Sequence, residues 1–223
     1  MNAIITDYDY TLSNKFMTVE LLHKLEDLKI INPGYKKEYT DLKKRYDSGE
    51  VKYNDFVKYD MGFIRKYLKG VKHTDLLKAL REDFEPEKNI FDWSKEIKNI
   101  FDKDSWMFIV VSSTIGICLE QVQDILDFDT YLASSYEIKN TLFTGEFSCQ
   151  VDSQKKGQYV AGLKPSFEKV IVVGDAPGDF EMMKFADEAY LFEPNENTLK
   201  EVGDLKHEVV NRENVLTKLK TLI

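Results

Sequence analysis

Residues 3–13 combine a short apolar strand with two carboxylates that follow it directly. Ile4 and Ile5 form a β-branched run, which is typical of a buried parallel strand. Asp7 and Asp9 come after this run, where open α/β sheets place their ligands. Two such carboxylates repel each other unless a cation or a proton intervenes. Because Mg²⁺ takes hard oxygen ligands, the stretch predicts a magnesium site, although an acidic turn after a strand would have the same composition.

The segment from residue 15 to residue 91 has the pattern of a helical insertion. Its apolar residues recur at helical spacings, and no stretch has the character of a strand. Turn-forming residues, such as Asn32-Pro33-Gly34 and Gly70, separate the predicted helices. Those helices are expected at residues 16–30, 35–47, 54–68 and 73–84. We interpret 15–91 as a helical cap inserted into a larger domain.

From about residue 92 onward, predicted strands alternate with predicted helices. Trp106–Val111 and Val170–Val173 are fully apolar, as expected for buried parallel strands. Short strands are also expected between Tyr131 and Val151, with a turn at Thr144-Gly145. Helices are predicted at residues 94–103, 115–126, 153–164, 179–186 and 213–223. The alternation implies an α/β core with a doubly wound parallel sheet, formed by residues 1–14 and 92–223.

The composition limits the class of protein and its partners. The chain has 223 residues, which is enough for one large domain or for one domain carrying a smaller one. With 43% apolar and 31% charged residues, its composition is that of a soluble globular protein. A net charge of −8 argues against non-specific binding to nucleic acid or to an anionic membrane. Cys118 and Cys149 have no metal-type spacing, and the N-terminus has no signal-peptide pattern. We therefore expect a cytoplasmic protein without a membrane span.

Polar residues capable of chemistry stand at the ends of several predicted strands. They are Asp7 and Asp9 after the first strand, Ser112 after the second, Lys156 at a helix start, and Gly174, Asp175 and Asp179 after a later strand. In this order and spacing they resemble the haloacid dehalogenase superfamily of phosphohydrolases. Its first motif is Asp-x-Asp-x-Thr and its last is Gly-Asp-x-x-x-Asp. The resemblance extends over nearly the whole chain and includes a helical cap, as in the phosphoserine-phosphatase-like branch.

The resemblance implies a catalytic role for several of these residues. Asp7 would be the nucleophile that forms a phospho-aspartate, which splits one difficult displacement into two easier ones. Asp9 would protonate the leaving oxygen and later activate water, as general acid and then general base. Ser112 and the backbone from Ser113 onward would hold the phosphate oxygens, and Lys156 would neutralise their charge.

The resemblance also implies a Mg²⁺ cofactor. Asp7, Asp175 and the carbonyl of Asp9 would bind it. The supporting residues would be Thr11, Gly174 and Asp179, the last through a water on the metal or by orienting Lys156. The implied activity is a magnesium-dependent phosphatase that hydrolyses a small phosphorylated metabolite, with no nucleic-acid or membrane partner.

Some assignments stay open at the level of sequence. Lys155 competes with Lys156, although the pair Lys156-Gly157 matches the Lys-Gly pair of the family. Asp175 could be a turn residue, and Asp179 could N-cap the following helix. Thr11 could serve as a turn former.

The sequence departs from the phosphoserine phosphatases at two places. Ser113 and Thr114 replace the Gly-Gly that commonly follows the serine of those enzymes. In the cap, Phe16 stands where they carry a substrate-binding glutamate, and Arg65 is the nearest arginine. Aromatic residues of the cap would therefore shape a different pocket, and another small phosphomonoester is a stronger expectation than phosphoserine. The aromatic candidates are Phe16, Tyr46, Tyr53 and Phe56.

Three alternatives to this activity remain. The protein could be a phosphoserine phosphatase proper, or it could transfer the phosphoryl group to an acceptor other than water, as a mutase does. It could also be a non-catalytic regulatory protein that binds a phosphorylated ligand, which the altered Ser113-Thr114 segment would favour. A dehalogenase is disfavoured, because family members with that chemistry lack the second aspartate, here Asp9.

Overall fold

The structure is a computed structural model that describes residues 1–82 and 85–222. Seven strands form in these residues: β1 (Asn2–Thr6), β2 (Trp106–Ile115), β3 (Thr130–Lys139), β4 (Leu142–Cys149), β5 (Val170–Gly174), β6 (Glu188–Phe192) and β7 (Glu208–Val210). The same residues form the α-helices α1 (Met17–Asp27), α2 (Tyr35–Asp47), α3 (Tyr53–Leu68), α4 (His73–Glu82), α5 (Asp92–Ile100), α6 (Gly116–Glu120), α7 (Gln123–Leu126), α8 (Ser153–Leu163), α9 (Phe180–Met183), α10 (Glu196–Glu201) and α11 (Val215–Lys220). Short 3-10 helices occupy Pro86–Asn89, Lys164–Ser166 and Pro177–Asp179.

The strands lie in the order β4-β3-β2-β1-β5-β6-β7. β1 pairs in parallel with β2 on one side and with β5 on the other. β3, β6 and β7 extend the parallel pairing outward, and β4 runs antiparallel to β3. The chain thus builds one half of the sheet from β1 to β3 and the other half from β5 to β7. This arrangement confirms the predicted doubly wound α/β fold, with its topological switch point beside β1.

The central strands are apolar because helices cover them. Ile5, Val111 and Val172, from three adjacent strands, are fully buried in one core cluster. The same cluster contains Val160 of α8 and Met182 of α9. Such burial on the sheet explains why these strands read as continuous apolar runs in the sequence. The core therefore fixes the strand ends from which the polar residues project.

The chain divides into two compact units, each made from separate segments. The first consists of Met1–Phe16, Pro86–Ser134 and Gln150–Ile223, and it contains most of the sheet. The second consists of Met17–Glu85 and Ser135–Cys149, so it contains α1 to α4 together with the hairpin formed by β4 and the part of β3 from Ser135 onward.

The hairpin between β3 and β4 differs from the sequence-based prediction. The turn lies at Asn140-Thr141, whose φ angles of 51° and 68° suit a two-residue hairpin turn. The prediction of a turn at Thr144-Gly145 was therefore wrong. Gly145 lies inside β4, where the register with β3 is irregular between Tyr136 and Ile138. Its glycine, with a φ of 89°, marks a β-bulge and not a turn.

The predicted helices are mostly observed, with shifted ends. The helix expected over 115–126 is interrupted at Gln121-Val122, where the N–H groups donate to carbonyls three residues earlier and the helix closes as α6. Phe84 and Ile223, which the predicted helices 73–84 and 213–223 included, lie outside the described residues. Across the described part of the chain, no helix combines the length and the apolar character needed to cross a bilayer.

Candidate active site

The predicted site residues meet at the carboxyl edge of the sheet in the first unit. Asp7 follows β1 directly, and its N–H continues the ladder by donating to the Val173 carbonyl of β5 at 2.9 Å. Asp175 follows β5, and Ser112 lies in β2, on the other side of β1. Because parallel strands end at one edge, residues distant in sequence come together there.

An ion-pair network connects Lys156 to two aspartates. Its Nζ lies 2.9 Å from Oδ1 of Asp7 and 2.7 Å from Oδ1 of Asp179. All three side chains are nearly inaccessible to solvent, with exposures of 4%, 9% and 1%. Lys155, the alternative lysine, is exposed. The structure thus places Lys156, and not Lys155, beside Asp7.

Asp179 is held by the loop that precedes it. Its Oδ2 accepts hydrogen bonds from the backbone N–H groups of Asp175 and Ala176, at 3.0 and 3.2 Å. A Cβ atom at Gly174 would lie 2.6 Å from the Asp179 carboxyl group, so glycine is required there. Since both carboxylate oxygens are occupied, Asp179 is placed to orient Lys156, and it does not cap the following helix with its side chain.

Asp7, Asp175 and Asp179 form a cluster in which one carboxylate oxygen of each lies within 4.8 Å of the others. Burial raises the pKa of Asp7 to about 6, even though the nearby Lys156 ammonium lowers it. Burial also raises the pKa of Asp175 well above its usual value, and the charges of Asp179 and Asp7 add to this effect. Thr11 donates a hydrogen bond of 3.0 Å to Oδ1 of Asp175.

This cluster fits a hard divalent cation. The buried carboxylates of Asp7 and Asp179 and the half-buried one of Asp175 face a single ammonium group, so negative charge is left uncompensated. Oδ1 of Asp7 is buried, and it lies 2.9 Å from the Lys156 ammonium. Oxygen ligands of this kind are those that Mg²⁺ prefers. Asp7 and Asp175 are the members with more coordination capacity, since Asp179 already accepts hydrogen bonds from Lys156 and from two backbone N–H groups.

Asp9 lies apart from this cluster and against Ser112. The Ser112 hydroxyl donates to Oδ2 of Asp9 over 3.4 Å, which is a long hydrogen bond. The backbone N–H of Thr114 donates to the same Ser112 hydroxyl oxygen at 3.3 Å. β2 continues through Ile115, so Ser113 and Thr114, which replace the Gly-Gly pair, belong to the strand. Ser113 is half-buried there. The sequence predicted that this strand would end at Val111.

The loop from Asp7 to Ser13 is wound around one carbonyl group. The Tyr8 carbonyl accepts the N–H groups of Thr11, Leu12 and Ser13 at 3.3, 2.9 and 3.1 Å. Tyr8 is completely buried, and its hydroxyl is hydrogen-bonded to the Ser13 side chain. Sequence reasoning missed Tyr8, because the position between the two aspartates is an unspecified one in the Asp-x-Asp-x-Thr motif, and it gave Ser13 no role.

The residues predicted to shape a substrate pocket lie mostly in the second unit. There, the Tyr46 ring packs on Phe56 with ring centroids 4.7 Å apart, and Tyr53 packs on Tyr46. The Arg65 guanidinium lies over the Phe147 ring, 5.1 Å from its centroid. Phe16 belongs to the first unit and is half-buried.

Comparison with known proteins identifies the family. The model of the haloacid dehalogenase-like hydrolases matches residues 4–184. The chain therefore belongs to this family of hydrolases. No curated protein matches it.

Several solved structures share the fold at low sequence identity. A phospho-aspartyl intermediate analogue of phosphoserine phosphatase has a TM-score of 0.68 and 19% identity, covering 99% of this chain and 98% of its own. A phosphoserine phosphohydrolase-like protein from Francisella tularensis subsp. tularensis SCHU S4 has a TM-score of 0.69 and 16% identity, covering 100% of both chains. A protein of unknown function from Bordetella pertussis Tohama I has a TM-score of 0.73 and 13% identity, covering 95% of this chain and 98% of its own. At these identities the likeness establishes the fold.

Proposed function

We propose that the protein is a magnesium-dependent phosphatase that hydrolyses a small phosphorylated metabolite through a phospho-aspartate on Asp7. The observation that carries this proposal is the pair of aspartates in two different environments. Asp7 lies 2.9 Å from the Lys156 ammonium and beside Asp175, whereas Asp9 lies against Ser112. Because the two carboxyl groups have different surroundings, they suit different roles, Asp7 as the nucleophile and Asp9 as the general acid.

In the first step, a carboxylate oxygen of Asp7 attacks the phosphorus atom. The bond from phosphorus to the leaving oxygen breaks, and the Asp9 carboxyl group donates its proton to that oxygen. In the second step, Asp9, now a carboxylate, removes a proton from water. That water attacks the phosphorus, releases phosphate and restores Asp7. Asp9 thus ends the cycle with its proton regained.

Lys156 has two tasks in this cycle. Its ammonium keeps Asp7 ionised as a nucleophile, opposing the burial that raises the Asp7 pKa to about 6. It also compensates the charge of the phosphate oxygens, together with the hydroxyl of Ser112 and the backbone around Ser113. Asp179 holds the ammonium at 2.7 Å, so that it is positioned before substrate binds.

Asp7, Asp175 and the carbonyl of Asp9 would hold the Mg²⁺ ion, with Thr11 fixing the Asp175 carboxylate at 3.0 Å. A bound Mg²⁺ supplies charge neutralisation for the phosphate oxygens, which phosphoryl transfer chiefly needs. The uncompensated negative charge of the Asp7, Asp175 and Asp179 cluster supports this assignment.

We further propose that the second unit is the cap and that it selects the substrate in a cytoplasmic enzyme. Its buried aromatic residues support an organic phosphomonoester as the ligand. The similar solved structures named phosphoserine phosphatases support a small metabolite, while Phe16 argues against phosphoserine itself.

The test is phosphate release from a panel of phosphorylated metabolites, with and without Mg²⁺. Asp7→Asn should lose all activity, because it removes the nucleophile. Asp204→Asn, at an exposed carboxyl group of the same unit, serves as the matched control and should keep it. Release that survives in Asp7→Asn contradicts the assigned nucleophile. Phosphate that reappears on a second metabolite instead of in solution would favour a phosphotransferase over a phosphatase.

A further inference from the structure

Tyr8 separates the two catalytic aspartates and is completely buried. The Tyr8 hydroxyl is hydrogen-bonded to the side chain of Ser13, which is also completely buried. A phenylalanine would fill the same apolar space without this polar group. The hydroxyl therefore has a role beyond packing.

The direction of this hydrogen bond follows from the next contact. The Ser13 hydroxyl donates its hydrogen to the Lys15 carbonyl at 2.7 Å. A serine hydroxyl has one hydrogen, so Tyr8 is the donor to Ser13. The result is a directed chain from the Tyr8 hydroxyl through Ser13 to the backbone of Lys15. Ser13 is itself fixed by an antiparallel bridge to Ile90.

This chain closes a ring on the loop that contains Asp9. On the backbone side, the Tyr8 carbonyl accepts the N–H groups of Thr11, Leu12 and Ser13. On the side-chain side, the Tyr8 hydroxyl reaches the same Ser13. Asp9 is a member of the loop that this ring closes, and the residue after it, Tyr10, has a left-handed φ of 59°. The loop conformation is therefore held from both ends of Tyr8.

The other contact of the Asp9 carboxylate described above is weak by comparison. The hydrogen bond from Ser112 spans 3.4 Å and is near the limit of what counts as one. The Ser112 contact is therefore too long to fix the direction of the Asp9 side chain by itself.

We infer that Tyr8 is a positioning residue, whose buried hydroxyl fixes the loop that aims Asp9 at the leaving oxygen of the substrate. This inference rests on the proposed phosphatase mechanism, in which Asp9 is the general acid. A misplaced general acid slows the departure of a poor leaving group far more than that of a good one.

The test compares two substrates in Tyr8→Phe. An alkyl phosphomonoester from the panel needs its leaving oxygen protonated, whereas p-nitrophenyl phosphate releases a stable anion. We compare kcat/KM, which reports the steps up to departure of the leaving group. General acid catalysis contributes about 10²–10⁴-fold, so partial misplacement should lower kcat/KM for the alkyl ester about tenfold. The value for p-nitrophenyl phosphate should stay within about twofold.

Two further variants make the test specific. Ser13→Ala removes the acceptor of the same bond and should reproduce the leaving-group dependence. The double variant should be no worse than either single one, as expected for residues that act through one contact. Tyr190→Phe removes a hydroxyl from another buried tyrosine of the same unit, in β6, and should change neither substrate.

The outcomes separate this inference from the proposed function. If the wild type turns over both substrates and Tyr8→Phe loses neither, or loses both equally, the positioning role is refuted and the phosphatase stands. If the wild type releases no phosphate from any substrate, the proposed function fails and the inference fails with it. Should Tyr8→Phe not fold, as judged by circular dichroism, Ser13→Ala alone decides between these outcomes.

Discussion

Asp60 is a carboxyl group buried in the second unit. It lies in α3 and is 1% exposed, and within residues 1–82 and 85–222 neither of its carboxylate oxygens has a hydrogen-bond partner. Burial raises its pKa from 3.8 to about 7. The hydroxyl of Tyr35 is also buried, with no hydrogen-bond partner in the described part of the chain. Burial raises the pKa of Tyr35, and the charge of Asp60 raises it further. We predict that the ionisation of Asp60 makes stability depend on pH.

The sign and size of this effect follow from linkage. The native state binds the Asp60 proton more tightly than the unfolded state, so stability is full below pH 3.8 and falls as the pH rises through about 7. Each pKa unit corresponds to about 1.4 kcal/mol, which gives a total of about 4 kcal/mol. Between pH 5 and pH 8 the loss should be about 2–3 kcal/mol.

The assay is urea denaturation of the wild type and of Asp60→Asn at several pH values from 5 to 8. The asparagine is also buried and polar but does not titrate. The difference in free energy of unfolding between the two proteins should therefore move by about 2–3 kcal/mol in favour of the variant at high pH. Asp55→Asn, at an exposed position in the first turn of the same helix, is the control and should show no such movement. A difference that stays constant across this range would refute the reasoning.

Three further predictions concern the first unit. Lys156→Met should leave the buried carboxylates of Asp7 and Asp179 unpaired. The variant should lose about 3 kcal/mol of stability in denaturation experiments and at least about 10²-fold in kcat. An unchanged free energy of unfolding would contradict the ion-pair network. Gly174→Ala should destabilise the protein by about 1–3 kcal/mol, because its Cβ would lie 2.6 Å from Asp179, and an unchanged Tm would contradict the tight packing seen there. Mg²⁺ should raise the Tm of the wild type at neutral pH by binding the native state, and Asp175→Asn should abolish this shift; an equal shift in both proteins would place the ion elsewhere.

Much of the site was predictable because its residues follow strongly apolar strands. The runs before Asp7 and Asp175 read as buried parallel strands, and parallel strands deliver the residues after them to one edge. The order of the strands then follows from general rules, since crossovers between parallel strands are right-handed and consecutive elements pack beside each other. Lys156 could be matched from its Lys-Gly pair, but its contact with Asp7 and Asp179 depends on how α8 packs, which spacing alone does not give.

Other features depend on tertiary contacts that a linear pattern does not contain. Gly145 resembles a turn in sequence, yet the chain turns at Asn140-Thr141 and uses the glycine for a bulge beside Lys69. Asp60 stands in a helix like any other aspartate, and its burial appears only after the second unit is assembled. The hydrogen bond of the Tyr8 hydroxyl is likewise unpredictable from the sequence, because it forms only when the loop brings Ser13 back to Tyr8.

The segmented construction of the second unit has a consequence for its synthesis on the ribosome. Met17–Glu85 emerges first, but the residue just beyond α3 depends on the later hairpin, because the Gly70 N–H donates to the Phe143 carbonyl of β4. The helices must wait for about 60 further residues before β4 exists to cover them, at a synthesis rate of about 5–20 residues per second. The unit is thus a late product of translation although most of it is encoded early, and a gene fragment for 17–85 does not encode it.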